Sequence, residues 1–137
     1  MGTMNDAAAS TAERIETTAL ALFARQGYEA TTLAQIAEGV GIRKPSLYNH
    51  IESKESLFLY LIGQVEAAFF AIQDASLARY ELACTEERLH ALVKDLSTFI
   101  FTESQGAFYK RCLLFPPEPL DAQIRAINAQ NEARIDE

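Results

Sequence analysis

The chain has 137 residues, of which 49% are hydrophobic and 23% charged, with a formal net charge of −7. This apolar content excludes a disordered chain, and the richness in Ala and Leu favours helices. The first residues lack the basic start and apolar run of a secretory signal. The longest apolar run, LFLYLI at 57–62, is far shorter than the ~20 residues that span a bilayer. We therefore expect a soluble, cytoplasmic protein.

Two capping patterns open the first helices of the chain. The S-x-x-E pattern at 10–13 predicts the start of a helix that ends at Gly27, and the T-x-x-Q pattern at 32–35 predicts a second, shorter helix. The glycines at 39–41 close this second helix. Pro45 suits the first turn of a third helix, over 45–51, because proline lacks the N–H that would stay unpaired there.

Longer helices follow from residue 54. Ser53 is the expected cap of the fourth helix, and Thr85 that of the fifth, with Glu86 and Glu87 as a solvated pair in its first turn. Apolar residues at helical spacing fill both, including Leu89 and Val93 in the fifth. A short apolar stretch, AFYKRCLLF, is stopped by PPEP, and a last amphipathic stretch follows. With no strand-like alternation, we predict an all-α chain with one domain over 10–53 and a second over 54–137.

Residues 39–58, GVGIRKPSLYNHIESKESLF, differ in charge from the rest of this acidic chain. Within 41–54, three basic residues stand against one acidic residue, a net of +2. Two short helices joined by a tight glycine turn are the geometry of a helix-turn-helix. Leu47 and Ile51 share one face of the third helix and should be buried against Ile36, Val40 and Ile42. The opposite face carries Ser46, Asn49 and His50.

A buried stripe backed by small polar groups is what a recognition helix in the major groove requires. Asn49 can pair with adenine, Ser46 can serve either as donor or acceptor, and Pro45 can contact a thymine methyl group. Arg43 and Lys44 lie at the entry of the helix, within reach of guanine or phosphate.

Three further residues are expected to bind phosphate and so set the register on the duplex. Tyr48 offers a hydroxyl on the flank of the third helix. Lys54 and Thr32 each lie at a helix N-terminus, where backbone N–H groups and the helix dipole favour an anion.

The segment 27–58 resembles the DNA-binding domain of the TetR family of transcriptional repressors. Its sequence is GYEATTLAQIAEGVGIRKPSLYNHIESKESLF. The shared marks are the Gly-aromatic turn, Thr-Thr, Ile-Ala, Gly-Val-Gly, Leu-Tyr-x-His and Ser-Lys-Glu. The resemblance implies that Thr32, Tyr48, His50 and Lys54 contact phosphate and that 43–49 read bases. It also implies a homodimer on a palindromic operator, released by an apolar or amphipathic small molecule bound among the later helices.

Two features depart from the family pattern. Ile51 stands where the family usually has an aromatic residue, so we expect slightly different packing there rather than lost function. The family usually continues for two more long helices that form the dimer interface, so the effector-binding and dimerisation domain is expected to be partial. Positions 120, 124, 127, 131 and 135 form a possible partner-facing seam, which we interpret as the remnant of a larger interface.

The second domain offers candidate effector contacts that could equally be ordinary core residues: Phe69, Phe99, Phe108, Tyr109 and Cys112. His90 is a weaker candidate. Cys84 and Cys112 have no CxxC or metal-ligand spacing, so we expect free thiols, with a disulfide or a redox sensor as the open alternatives.

No HExxH, GxSxG or P-loop pattern is present, so we predict no catalytic residues, metal or cofactor. The expected function is that of a ligand-responsive transcriptional regulator, most simply a repressor. The alternative is a helical small-molecule-binding or adaptor protein of the same fold that does not bind an operator.

Overall fold

The computed structural model describes residues 10–133, and within this range the chain is helical with no strand. The predicted all-α class is confirmed. In chain order the elements are α1 (Thr11–Ala30), α2 (Leu33–Val40), α3 (Lys44–Leu47), α4 (Lys54–Arg79), α5 (Thr85–Thr102), α6 (Ser104–Leu114), a 3-10 helix (Glu118–Leu120) and α7 (Asp121–Ala133).

Two compact units divide the chain, one extending to Leu61 and the other beginning at Ile62. Helix α4 supplies residues to both. The domain boundary expected at 53/54 lies at the start of this helix, and as a functional division it stays a prediction.

The helix starts of the first unit follow the capping patterns. The Ser10 hydroxyl accepts from the backbone N–H of Glu13 at 3.1 Å, and Ser53 and Ser56 cap the start of α4 reciprocally at 3.0 and 3.1 Å. Gly27 interrupts α1 with a φ of 86°, and only a final turn follows it. A positive φ of this size favours glycine, so the predicted helix end appears as a kink.

The turn between α2 and α3 depends on Gly41, whose φ of 83° is left-handed. Its N–H donates to the carbonyl of Glu38 at 3.1 Å, and the next N–H, of Ile42, donates to that of Ala37 at 3.0 Å. These two bonds form a Schellman motif, which satisfies the last carbonyls of the helix and reverses the chain. The Arg14 guanidinium adds a donor to the carbonyl of Val40.

The core of the first unit is built from one stripe of each helix. Its aromatic part is a group of three rings, Phe23, Tyr28 and Phe58, with centroids 5.0–6.1 Å apart. The aliphatic part comprises Ile15, Ile36, Val40, Leu47, Leu57 and Leu61. Packing of α2 on both α1 and α3 therefore fixes the position of the short third helix.

Two details of α5 differ from the sequence prediction. Cys84, not Thr85, is the N-cap residue, and it makes no side-chain capping bond. Leu89 and Val93 are 60% and 55% exposed, so the buried face of α5 is narrower than the apolar pattern indicates, with Ala91 and Phe99 as its buried residues.

The proposed partner-facing seam on the last helix is wrong for the part that the structure describes. Leu120 and Ile124 are buried within the second unit, and Asn131 donates to the Glu66 carboxylate at 2.9 Å. Leu120 and Ile124 therefore belong to the core of their own unit, Ile127 and Asn131 are half-buried, and Ile135 lies outside the described residues.

Among the described residues, α4 is long and apolar enough to cross a membrane by length and composition, with a mean hydropathy of 1.4. The sequence did not predict such a stretch, because charged residues interrupt it. The apolar stretch of α4 is 33% buried inside the protein, and the helix contributes Leu57, Ile62 and Val65 to the buried residues. A single helix of this kind is weak evidence for a membrane span.

Candidate nucleic-acid interface

The residues around α3 divide between the core and the surface as the helical pattern predicts. Leu47 is fully buried, at 0% exposure, and anchors the helix. Its neighbours at 43–46 and 48–50 are all exposed, and Tyr48 is 50% exposed. We call this exposed set, comprising Arg43, Lys44, Pro45, Ser46, Tyr48, Asn49 and His50, the α3 face. The structure thus brings seven of the nine predicted DNA contacts to one short stretch of surface.

Helix α3 itself is shorter than the predicted span of 45–51. Regular α-helix covers Lys44–Leu47, and the chain then tightens. The N–H groups of Asn49 and His50 donate to carbonyls three residues back, at 3.2 and 3.0 Å. Such bonds are typical of 3-10 turns. The polar side chains after Leu47 therefore lie on a turn that continues the helix rather than on a full second turn of it.

Thr32, the eighth predicted contact, is exposed at the N-terminus of α2. Its hydroxyl accepts from the N–H of Gln35 at 3.1 Å, and the Gln35 side chain accepts from the N–H of Thr32 at 3.1 Å. Gln26 of α1 donates to the same Gln35 oxygen at 2.8 Å. The sequence pattern predicts the capping box of Thr32 and Gln35. It does not predict the hydrogen bond from Gln26, because a contact between residues nine positions apart leaves no local signal.

Lys54, the ninth predicted contact, is half-buried at the start of α4. Its ammonium donates to the carbonyl oxygen of Tyr28 at 2.9 Å and lies 4.1 Å from the centroid of the Tyr28 ring. Burial raises the pKa of the Tyr28 hydroxyl, and Glu55 and Glu29 raise it further. Lys54 therefore joins α4 to the Gly-aromatic turn, a structural role that the spacing of neighbouring residues does not predict.

Ile51, where an aromatic residue was expected, is half-buried and borders a cleft of about 260 Å³. Ile15 and Leu57 form the apolar floor of this cleft, and Tyr60 lies at its rim. Ile51 therefore borders open space at the edge of the core of the first unit.

The candidate effector contacts lie in the second unit, mainly in its core. Phe99, Phe108, Tyr109 and Cys112 are buried, and Phe69 is half-buried. The Phe69 ring lies 5.1 Å from that of Tyr109 and 6.0 Å from that of Phe99, so these three side chains form one aromatic cluster. His90 is exposed on α5.

Titratable groups close to this aromatic cluster are shifted toward their neutral forms. Burial raises the pKa of Tyr109 and of Cys112 to about 12, and the nearby Glu66 carboxylate adds to both. Within residues 10–133, no three His, Cys, Asp or Glu side chains are grouped so that they could hold a metal ion.

Comparison with known proteins places the first unit in a family. Residues 15–61 match the model described as bacterial regulatory proteins, tetR family. The uncharacterized HTH-type transcriptional regulator YerO of Bacillus subtilis is 47% identical over 55 residues, which are 37% of this chain and 19% of the relative. The negative transcriptional regulator of the biofilm operon icaADBC, IcaR, of Staphylococcus aureus is 46% identical over 46 residues, 34% of this chain and 25% of the relative.

Solved structures match over more of the chain. The superantigen PfiT has a TM-score of 0.66 and 27% identity, covering 90% of this chain and 66% of that one. A ketosteroid transcriptional regulator of Mycobacterium tuberculosis has a TM-score of 0.65 and 26% identity, covering 91% of this chain and 64% of that one. The chain therefore spans about two thirds of these structures, and its matches span a quarter or less of the curated relatives.

The curated relatives are named as regulators of transcription, which agrees with the prediction of a transcriptional regulator over the matched residues. The predicted family is likewise confirmed by the matching model, the curated regulators and the fold of the ketosteroid regulator. Residues 15–61 of the chain therefore match the tetR family of bacterial regulatory proteins.

Proposed function

We propose that the first unit binds double-stranded DNA by placing the α3 face in a major groove. One observation carries this proposal. Leu47 is fully buried, while the seven residues of the face are exposed on both sides of it. A short helix and the turn after it, anchored by Leu47 and bearing exposed cationic, amide and hydroxyl groups, match the donor and acceptor pattern of base edges.

Each polar side chain of the α3 face has a role in this proposal, and Pro45 contacts a thymine methyl group. Asn49 pairs with adenine and Ser46 accepts or donates at a base edge, while Arg43 and Lys44 reach guanine or phosphate. Tyr48 and His50 bind phosphate on the flank and set the register. The chain is acidic overall, so at long range it repels DNA. Within the Debye length of about 8 Å, salt does not screen the local positive charge of the α3 face, and this charge can attract phosphate.

Thr32 and Lys54 supply the outer phosphate contacts in the same proposal. The Thr32 hydroxyl uses its acceptor side in the capping box, so its proton stays available to a phosphate oxygen. Lys54 has three ammonium donors, of which the Tyr28 carbonyl takes one. Each residue also lies at a helix N-terminus, where the dipole favours an anion.

We further propose that the full regulator acts as a cytoplasmic homodimer on a palindromic operator, as a repressor that a small molecule releases. IcaR is a negative regulator by name, which supports repression. An effector held in the second unit would act by moving α4, so that two α3 faces lose the spacing of about 34 Å between successive major grooves. The effector must bind the state that does not bind the operator more tightly, because otherwise it does not shift the equilibrium between the two states.

One observation favours a second candidate function. The superantigen PfiT shares the fold over 90% of this chain and is not named as a regulator. The fold alone therefore does not settle the activity. A helical small-molecule-binding or adaptor protein without an operator is the alternative, and the DNA experiment below distinguishes the two.

Selection of bound sequences from a random duplex pool tests the proposal, and enrichment of an inverted repeat is the expected result. Lys44→Ala should then weaken binding uniformly and reduce the salt slope of log K by about one unit. Asn49→Ala should relax preference at one base pair and weaken binding to the selected site by about 1–3 kcal/mol. Lys94→Ala, which removes an exposed charge on α5, is the matched control and should change neither.

If the unmodified chain does not bind DNA even at low salt, the alternative function is favoured. Unchanged retention in both Lys44→Ala and Asn49→Ala would instead show that the duplex binds elsewhere on the chain.

A further inference from the structure

A cleft of about 270 Å³ lies in the second unit between the last turns of α4 and the second half of α5. Ile72 and the buried Phe99 provide apolar walls, and Ser76 lies between them along α4. A closed apolar cavity of about 150 Å³ is enough to hold benzene. The cleft is therefore large enough for a molecule of one ring with a polar substituent.

The Ser76 hydroxyl is the unusual group in this cleft. Ser76 is 2% exposed, and its oxygen has no hydrogen-bond partner among the described residues. A helical hydroxyl ordinarily bonds back to the carbonyl four residues earlier. On α5, Thr98 does so to Lys94 at 2.8 Å, and Thr102 does so to Thr98. Buried polar groups without partners are rare in native proteins and cost about 1–3 kcal/mol each.

The charges at the rim of the cleft indicate what kind of ligand it suits. Arg79 and Asp95 form an ion pair at 2.7 Å across α4 and α5, so they largely neutralise each other. Glu103 adds one exposed carboxylate at the same rim. An anion would meet this carboxylate and find the guanidinium already paired, so an uncharged ligand fits best.

We propose that this cleft binds a small uncharged amphipathic molecule with one hydroxyl group. The ring or chain packs on Phe99 and Ile72, and the hydroxyl pairs with the oxygen of Ser76. That the bound molecule is the effector rests on the proposed function. Binding of the molecule to the cleft requires no DNA.

Phenol and toluene are the test probes, because they share a ring and differ in the hydroxyl group. Both are titrated into the isotope-labelled full chain without DNA, and amide resonances are followed by NMR. Phenol should shift resonances of residues 72–79 and 95–103 saturably, and toluene should bind about tenfold more weakly, the effect of about one hydrogen bond. Phenol shifts that map outside these segments, or equal affinities for the two probes, would overturn the proposal.

Ser76→Ala separates a binding role from a structural one. It should weaken phenol about tenfold and leave toluene unchanged, while the melting temperature without ligand stays equal or rises, since a buried unpaired hydroxyl is removed. Thr17→Val, which deletes a helical hydroxyl already paired with the carbonyl of Glu13 in the first unit, is the matched control and should keep phenol affinity. A lower melting temperature of Ser76→Ala, or unchanged phenol binding, would contradict the assignment.

The outcome is independent of operator binding. If the duplex selection fails and the phenol test succeeds, the cleft is a ligand site in a protein that does not bind an operator. If the selection succeeds and Ser76→Ala does not alter phenol binding, the regulator stands and this cleft is not its ligand site.

Discussion

The two cysteines lie in opposite environments, and this difference sets their reactivity. Cys84 is exposed at the start of α5, while Cys112 is 8% exposed on α6. Burial raises the pKa of the Cys112 thiol to about 12, and Glu66 adds to this rise. The thiolate is the reactive form, so near pH 8 only Cys84 should react quickly with a thiol reagent.

We therefore expect one fast thiol per chain in a disulfide-exchange assay and a second only after denaturation. Cys84→Ser should abolish the fast phase, and Cys112→Ser should leave it intact. Two fast thiols in the native chain would mean that Cys112 is open to solvent.

At the scale of single residues, the helical repeat predicts burial well where the contact is local. Leu47 faces inward and Ser46 and Asn49 face outward, as their spacing indicates. The pattern fails for Lys54, whose partner Tyr28 lies 26 positions away in the chain. A partner that the fold brings in from such a distance leaves no trace in the spacing of neighbouring residues.

At the scale of elements, the helix backbones approach each other closely at the junction of α5 and α6. Glu103 is the single residue between the two helices, and Gly106 lies in the first turn of α6. A Cβ added at Gly106 would lie 2.6 Å from the Cα of Ile100 and nearer still to the carbonyl oxygen of Phe99. Both are backbone atoms, which cannot move aside without separating the helices.

Gly106→Ala should therefore destabilise the chain by about 3 kcal/mol or more, as overpacking does at a rigid contact. Gly63→Ala is the matched control, since it is also a helical glycine and its added Cβ would lie 3.8 Å from a methyl group of Ile127. This control should be neutral or stabilising by up to about 1 kcal/mol. Urea denaturation monitored by circular dichroism measures both, and equal stabilities would contradict the predicted clash.

The elements were largely predictable, and the exceptions share one cause. Local patterns of a few residues predict these elements correctly. They are the capping patterns at 10–13 and 32–35 and the glycine turn at 39–41. The end of α3 and the exposed side of α5 depend on which neighbours pack against them. Periodicity gives a helix an apolar stripe but does not say how much of it another element covers.

At the scale of the whole molecule, one buried carboxylate opposes the stability of the native chain at neutral pH. Glu66 is 2% exposed on α4 and accepts a hydrogen bond from Asn131 of α7 at 2.9 Å. Asn128 lies beside the same carboxylate and, with its amide suitably oriented, donates to it as well. No ion pair to Glu66 is formed within residues 10–133. Amide donors compensate only part of the cost of burying a charge.

The pKa of Glu66 shifts accordingly. Burial raises this pKa above its ordinary value of 4.5, the Asn131 hydrogen bond lowers it, and Glu132 raises it again, with a net rise. The native state therefore holds the proton more tightly than the unfolded chain. Well below pH 4.5 the carboxyl is neutral in both states and costs nothing. As the pH rises the unfolded chain ionises first, so stability falls until the native pKa is passed.

Glu66→Gln removes this titration while keeping the shape of the side chain and its place among the asparagine amides. The variant should melt a few degrees above the unmodified chain near neutral pH, and the difference should shrink as the pH falls through the native pKa toward 4.5. Glu87→Gln, at an exposed position on α5, is the control and should show no such gap. Melting curves across this pH range decide the matter. A Glu66→Gln variant that is less stable at neutral pH would show that the ionised carboxylate has a native partner and stabilises the second unit, because only a favourable interaction with the charged form could produce that sign.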